Sequence, residues 1–303
     1  MPAITSLLQQ HALDTAGIGA LFLVAFVAKA TPPFLRTFDV NDPDIAHPRA
    51  TSNAFPTWSL FFVAFAGPVC ILALAAYVAQ RTGGSITVSN GAEDIRPFCV
   101  LFAVNLGAAL ALTTCATHVL KLWVGRLRPD FLARCQPTAT SAASHSPYSC
   151  AGDPRQVVDG RRSFPSGHAS FACAAAVLTA LVLASMLGIW RTPTRRPSLS
   201  RNIASDDNDD EDALSLLERA AAPDPPTALL APPLPTRRVR FPHHLGRSVW
   251  ALILVASPLL FAAFVAITRV RENMHHPTDV IAGALLGMFC SCFVYASRMG
   301  HAL

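Results

Sequence analysis

Six stretches of the chain are mainly apolar, and each is bounded by charged or proline-containing sequence. They run at about 15–35, 57–79, 97–120, 168–190, 248–268 and 279–298. A helix needs roughly 20 mainly apolar residues to cross about 30 Å of hydrocarbon, so the pattern predicts an all-α polytopic membrane protein with six transmembrane helices. The first stretch is the weakest. Its clean apolar core is Ala16 to Ala28, Lys29 has to snorkel, and Pro32 and Pro33 end the helix. Ala28-Lys29-Ala30 has the form of a signal-peptidase site, but no Lys or Arg precedes the apolar core as a secretory leader requires. The stretch reads as an uncleaved span.

Residues 191–247 differ in character, being rich in Pro, Ser, Arg and Asp, with an acidic run from Asp206 to Asp212. They lack the apolar periodicity of a core and read as a disordered polar loop. Leu214 to Leu217 offer at most a helical turn or a docking motif. The chain thus divides into 1–190 with spans one to four, the 191–247 loop, and 248–303 with spans five and six. Six spans put both termini and the long loop on one side and the loops after spans one, three and five on the other. Lys and Arg divide 12 to 12 between the sides, so the positive-inside rule scarcely discriminates. Setting aside Lys121, Arg128 and Arg269 as functional leaves 12 against 9, a slight preference for cytosolic termini.

Composition agrees with the membrane reading: 52% of residues are hydrophobic and 14% charged. Lys29 and Lys121 are the only lysines, and the arginines lie just outside the apolar runs, where head groups sit. With no basic stripe interleaved with aromatics, a nucleic-acid partner is not expected. Six of the eight cysteines fall inside apolar runs; Cys135 and Cys150 share a polar loop, as a disulfide if the loop faces an oxidising compartment or as two free thiols if not.

Three clusters concentrate ionisable residues at span ends, where charge is costly unless used. Lys121 to Pro129 closes span three, Phe164-Pro165-Ser166-Gly167-His168 opens span four, and Thr268-Arg269 to His275-His276-Pro277-Thr278-Asp279 links spans five and six. Span parity brings all three to one face. Lys121, Arg128 and Arg269 have no matching carboxylate cluster nearby in the sequence, which suits a dianionic phosphate, although each alone could be an interfacial anchor. Ser166 and Gly167 precede a long helix, so their N–H groups and the Ser166 hydroxyl can face an anion on its N-terminus. His275 and Asp279 are spaced i, i+4; if span six begins nearby they share a helix face and the carboxylate orients the imidazole. An oriented His275 can attack phosphorus while His168 protonates the departing oxygen and the cations stabilise the equatorial oxygens, without magnesium. The competing reading makes His275, His276 and Asp279 metal ligands.

Together these clusters resemble the three signature motifs of the type 2 phosphatidic acid phosphatase (PAP2), or lipid phosphate phosphatase, superfamily: Lys-x6-Arg-Pro, Pro-Ser-Gly-His and Ser-Arg-x5-His-x3-Asp. The six-span layout is similar to its eukaryotic branch. The resemblance implies a PAP2-like helical bundle at about 57–298. It implies Lys121, Arg128 and Arg269 as phosphate ligands with Ser166 and Gly167 cradling the group, His168 as acid, His275 as nucleophile and Asp279 as its orienter. Thr268 stands where the family usually has Ser. Implied substrates are phosphatidate, diacylglycerol pyrophosphate, lysophosphatidate or sphingoid phosphates drawn from the bilayer, with no metal cofactor and a site facing the lumen or exterior. The Cys135–Cys150 pair fits that orientation. Alternatives are an isoprenyl pyrophosphate phosphatase, an inactive scaffold of the same fold, and a transporter, which inverted repeats would signal and do not. Gly283 and Gly287 read as helix packing rather than dimerisation.

Overall fold

The computed structural model describes residues 12–51, 53–81, 85–87, 96–139, 148–189, 238–240 and 248–299. Its long helices are α1 (Ala12–Ala30), α2 (Thr57–Arg81), α3 (Arg96–Val124), α6 (Gly167–Leu187), α7 (Val249–Arg271) and α8 (Pro277–Val294), the last continued by a π-helical turn, Tyr295–Met299. Each is long and apolar enough to cross a membrane, so the chain is an all-α membrane protein of six spans. Between α3 and α6 lie the short helices α4 (Phe131–Cys135) and α5 (Pro154–Gly160), with the paired strands β2 (Pro137–Ala139) and β3 (Tyr148–Cys150) between them.

α6 is the axis of the bundle. In its span 78% of the residues are buried, against 11% in α1, because its alanines let α2, α3, α7 and α8 close around it while α1 packs mainly on α3. α1 ends at Ala30, ahead of Pro32 and Pro33, as expected. α2 runs through Pro68 and α7 through Pro258 without interruption, so neither proline breaks its span.

The residues expected to form a disordered loop, with Leu214 to Leu217 among them, lie outside the described residues except at Arg238–Arg240. That strand, β4, pairs antiparallel with β1 (Ser85–Thr87), the turn region after α2. Part of the segment is therefore structured, since an edge of backbone donors and acceptors can recruit a partner strand where no apolar periodicity announces one.

Cys135 and Cys150 are joined in a disulfide that ties α4 to β3. The Cys135 carbonyl accepts from Gly152 N–H at 2.9 Å, which closes the loop leading into α5.

Candidate active site

α3 delivers Lys121 in its last turn and then stops at Gly125, whose φ of 56° lies in the left-handed region. A Cβ there would stand 2.1 Å from the Phe34 carbonyl oxygen, so the sharp turn requires glycine. It swings the following segment back across the bundle end. There Arg128 N–H donates to the Gly160 carbonyl at 2.8 Å and Ser163 N–H to the Arg126 carbonyl at 2.9 Å. The first and second motifs are thus strapped together by main chain. The third joins through Ser166 N–H, which donates to the Asp279 carbonyl at 2.9 Å.

These straps leave a cavity of about 220 Å³ lined by Lys121, Arg128, Gly167, His168 and His275, with Asp159 also on its wall. The end of α3, the start of α6 and the α7–α8 link all reach it, so the three motifs share one membrane face. Lys121 Nζ donates to the Arg162 carbonyl at 2.5 Å, which points its charge across the loop into the cavity. His168 Nε2 lies 3.0 Å from the Phe55 carbonyl oxygen. A carbonyl only accepts, so Nε2 carries the proton and Nδ1 is the nitrogen left to exchange one with a ligand.

His275 is buried, and its Nδ1 has no hydrogen-bond partner. Burial pushes its imidazole down to about 3; Asp279 works against the shift, and Lys121 and Arg128 add to it. The ring is therefore uncharged at neutral pH. His275 does not share a helix face with Asp279, as the i, i+4 spacing suggests. α8 starts at Pro277 with His276 as its N-cap, so His275 precedes the helix. Its Nδ1 lies 3.8 Å from Asp279 Oδ2, outside hydrogen-bond range. That oxygen is already occupied: Ser163 Oγ donates to it at 2.5 Å and His276 N–H at 3.1 Å, with His276 Nδ1 at 3.3 Å. Oδ1 accepts from Arg126 Nη1 at 2.6 Å.

Other sequence-derived placements also change. Ser166 is the buried N-cap of α6, its hydroxyl turned to its own helix at Ala169 N–H and its amide spent on Asp279. Gly167 and His168 line the cavity instead, and as first-turn residues of α6 their N–H groups have no carbonyl partner within their own helix. Arg269 is fully buried and off the cavity wall, held by Asn53 Oδ1 at 2.9 Å and Glu272 Oε2 at 3.0 Å. The cations are not free of carboxylates either. Arg128 pairs with Asp159 at 3.0 Å, and Arg134 holds the other Asp159 oxygen at 2.9 Å. Burial favours a protonated Asp159, but Arg128 and Arg134 outweigh it and hold the carboxyl below its ordinary range. Asp159 and Ser163 were hidden because their partners are remote in sequence, whereas Glu272, three residues from Arg269, and Arg126, inside the first motif, stood within the clusters themselves. Among the described residues no group of three or more His, Cys, Asp and Glu is disposed to hold a metal ion.

Comparison with known proteins adds family evidence. The model of the PAP2 superfamily matches residues 102–301. The chain is 27% identical over 270 residues to diacylglycerol pyrophosphate phosphatase 1 of Saccharomyces cerevisiae, covering 87% of this chain and 71% of that protein. Identity to probable diacylglycerol pyrophosphate phosphatase 1 of Schizosaccharomyces pombe is also 27%, over 87% of this chain and 72% of that protein. Phospholipid phosphatase 2 of Rattus norvegicus is 30% identical over 64% of this chain and 50% of that protein. No solved structure matches the chain with significance.

Proposed function

The chain belongs to the PAP2 superfamily, and from that premise we propose that it is a metal-independent lipid phosphate phosphatase acting on diacylglycerol pyrophosphate or phosphatidate through a phosphohistidine. Lysophosphatidate and sphingoid phosphates fall within the same reading. The observation that carries it is the convergence of Lys121, Arg128, His168 and His275 on one cavity at the bundle end. Names of relatives in two yeasts support the substrate class.

In this reading the catalytic unit is one domain at about 57–298, with 191–247 inserted between spans four and five. The phosphate rests against Lys121, Arg128 and the first-turn amides of α6, whose helix N-terminus favours an anion. His275, uncharged, attacks phosphorus, and the N–P bond forms as the P–O bond to the lipid breaks. The electron pair leaves on that oxygen; when it is an alkoxide, His168 enters the step as the imidazolium, its Nε2–H on the Phe55 carbonyl, and gives up its second proton from Nδ1. Water, deprotonated by His168, then cleaves the N–P bond, releasing orthophosphate and restoring His275. Asp279 steadies the chain at His275 through the His276 amide, and Arg269 adds positive potential from behind the wall rather than by contact. The site faces the lumen or exterior, with termini in the cytosol; the Cys135–Cys150 disulfide at the cavity end supports this, because disulfides persist in oxidising compartments.

Purified protein in mixed micelles with EDTA, offered a panel of lipid phosphates, tests the reading by phosphate release. Turnover of a soluble sugar phosphate with failure on every lipid removes the lipid assignment. Loss in EDTA restored by zinc or manganese removes the metal-independent route. An unchanged rate for His275→Ala removes the phosphohistidine.

A further inference from the structure

Three further basic side chains line the catalytic cavity without a part in the reaction just described: Lys29 in the last turn of α1, His118 on α3 and Arg162 in the loop before α6. None belongs to the three motifs. Among the described residues neither Lys29 nor His118 has a hydrogen-bond or ion-pair partner. Arg162 Nη2 donates to the Thr31 carbonyl at 2.7 Å, a neutral acceptor that leaves its charge uncompensated. Asp159, the carboxylate on the wall, is already bonded to both Arg128 and Arg134.

Their placement is one-sided. His118 lies one turn before Lys121, hence on the same face of α3 and about 4.5 Å deeper along the span. Lys29 comes from α1, which packs on α3, and the bond to Thr31 draws Arg162 to the same end of α1. Arg128, His168 and His275 come instead from the loop after α3, the start of α6 and the link before α8. Lys121 stands between the two groups, one turn from His118 and tied to the Arg162 carbonyl. Lys121 and Arg128, the second of them shared with Asp159, face the phosphate that His275 attacks. Lys29 and Arg162 add two more fixed charges on the α1 side of the cavity, and His118 another donor one turn deeper along α3.

We propose that Lys29, His118 and Arg162 form a second phosphate subsite, which holds the inner phosphate of a pyrophosphate lipid while the outer phosphate sits against His275. This rests on the phosphatase reading and deepens it: the cavity is built for a lipid pyrophosphate ahead of a lipid monophosphate. His275 attacks the outer phosphorus, and the P–O bond to the bridging oxygen breaks. The electron pair stays on that oxygen, now a terminal oxygen of the departing phosphatidate. A phosphate of this kind, with a second pKa of about 6, leaves without a proton, and the subsite cations stabilise the charge it gains. Water then cleaves the N–P bond to release orthophosphate.

The test compares kcat/KM for diacylglycerol pyrophosphate and phosphatidate in mixed micelles, for wild type and for the Lys29→Gln/His118→Gln double variant. The ratio of the two values is expected to fall about tenfold or more, the size of a lost charge-assisted contact. Inhibition by methylenediphosphonate, a non-hydrolysable pyrophosphate, is expected to weaken by a similar factor relative to inhibition by inorganic phosphate. Arg271→Ala, at an exposed position off the cavity, leaves both readings as in wild type. An equal loss on both lipids, the result for simple head-group anchors, overturns the subsite while leaving the phosphatase reading intact. Wild type that releases phosphate from neither lipid overturns the phosphatase reading itself. Should the double variant fail to fold, Lys29→Gln alone, at an exposed side chain, gives the same ratio, and an unchanged ratio overturns the proposal.

Discussion

Gly283 on α8 lies so close to Ser166 at the start of α6 that a Cβ built on the glycine would stand 2.5 Å from the Ser166 carbonyl oxygen. One turn along, a Cβ on Gly287 would stand 2.1 Å from the Ser170 carbonyl oxygen, and after another turn Ser291 Oγ donates to the Ala174 carbonyl at 2.6 Å. This seam holds the helix that begins at His276 against the helix that carries His168. It thereby sets the separation of the two histidines assigned to the chemistry.

Gly283→Ala is expected to push α8 off α6 at the catalytic end. Overpacking of this kind costs about 1–3 kcal/mol, and a displacement near 1 Å at reacting groups costs up to about a hundredfold in rate. Thermal unfolding and phosphate release, measured together, check this. Wild-type turnover in a destabilised variant shows that the seam supports the fold without setting the site.

Arg126 is expected to matter as a positioning residue, because it holds Asp279 Oδ1 at 2.6 Å while Ser163 and the His276 amide hold Oδ2. Arg126→Gln should lower kcat about tenfold with little change in KM, as loss of a charge-assisted bond away from the phosphate predicts. Combined with Asp279→Asn, the effects should be clearly less than additive, because both substitutions break one contact. Strict additivity in the double-mutant cycle refutes the assignment.

The buried His275 predicts a pH window for stability. Its pKa is about 3 folded against an ordinary 6.5, so below pH 6.5 the unfolded chain takes up a proton that the folded chain refuses. Stability from this group is complete above pH 6.5 and is lost as pH falls from 6.5 toward 3. Unfolding followed between pH 7.5 and about pH 4 should show a shallower decline for His275→Gln than for wild type. Parallel curves contradict an uncharged, buried His275.

Reduction of the Cys135–Cys150 bridge is expected to loosen the anchorage of α5, the helix that carries Asp159. With a sequence separation of 15, closing such a loop contributes about 3 kcal/mol in the chain-entropy picture. Asp159 pairs with Arg128, so a Cys135→Ser/Cys150→Ser variant should bind phosphate more weakly, with KM rising more than kcat falls. A variant with unaltered KM removes the link between bridge and site.

Much of this protein could be read without its fold. Six spans followed from apolar run length alone, because lipid admits little besides helices of that length. Their number fixed which loops share a face, and hence that Lys121, His168 and His275 can meet. The spacing of charged residues at span ends pointed to phosphate chemistry. What sequence could not supply was partnership across the chain. The i, i+4 spacing of His275 and Asp279 suggested a direct bond, yet the carboxylate is claimed by Ser163, Arg126 and His276, because a helix N-cap turns the chain just where the pairing was expected. Ser166 was a cradle by its letters and is a buried cap in space. Asp159 and the basic side chains that reach the cavity from α1, α3 and the loop before α6 carry no local signal at all. Their roles come from distances that only packing decides, since charges far apart along a chain interact according to where the bundle brings them.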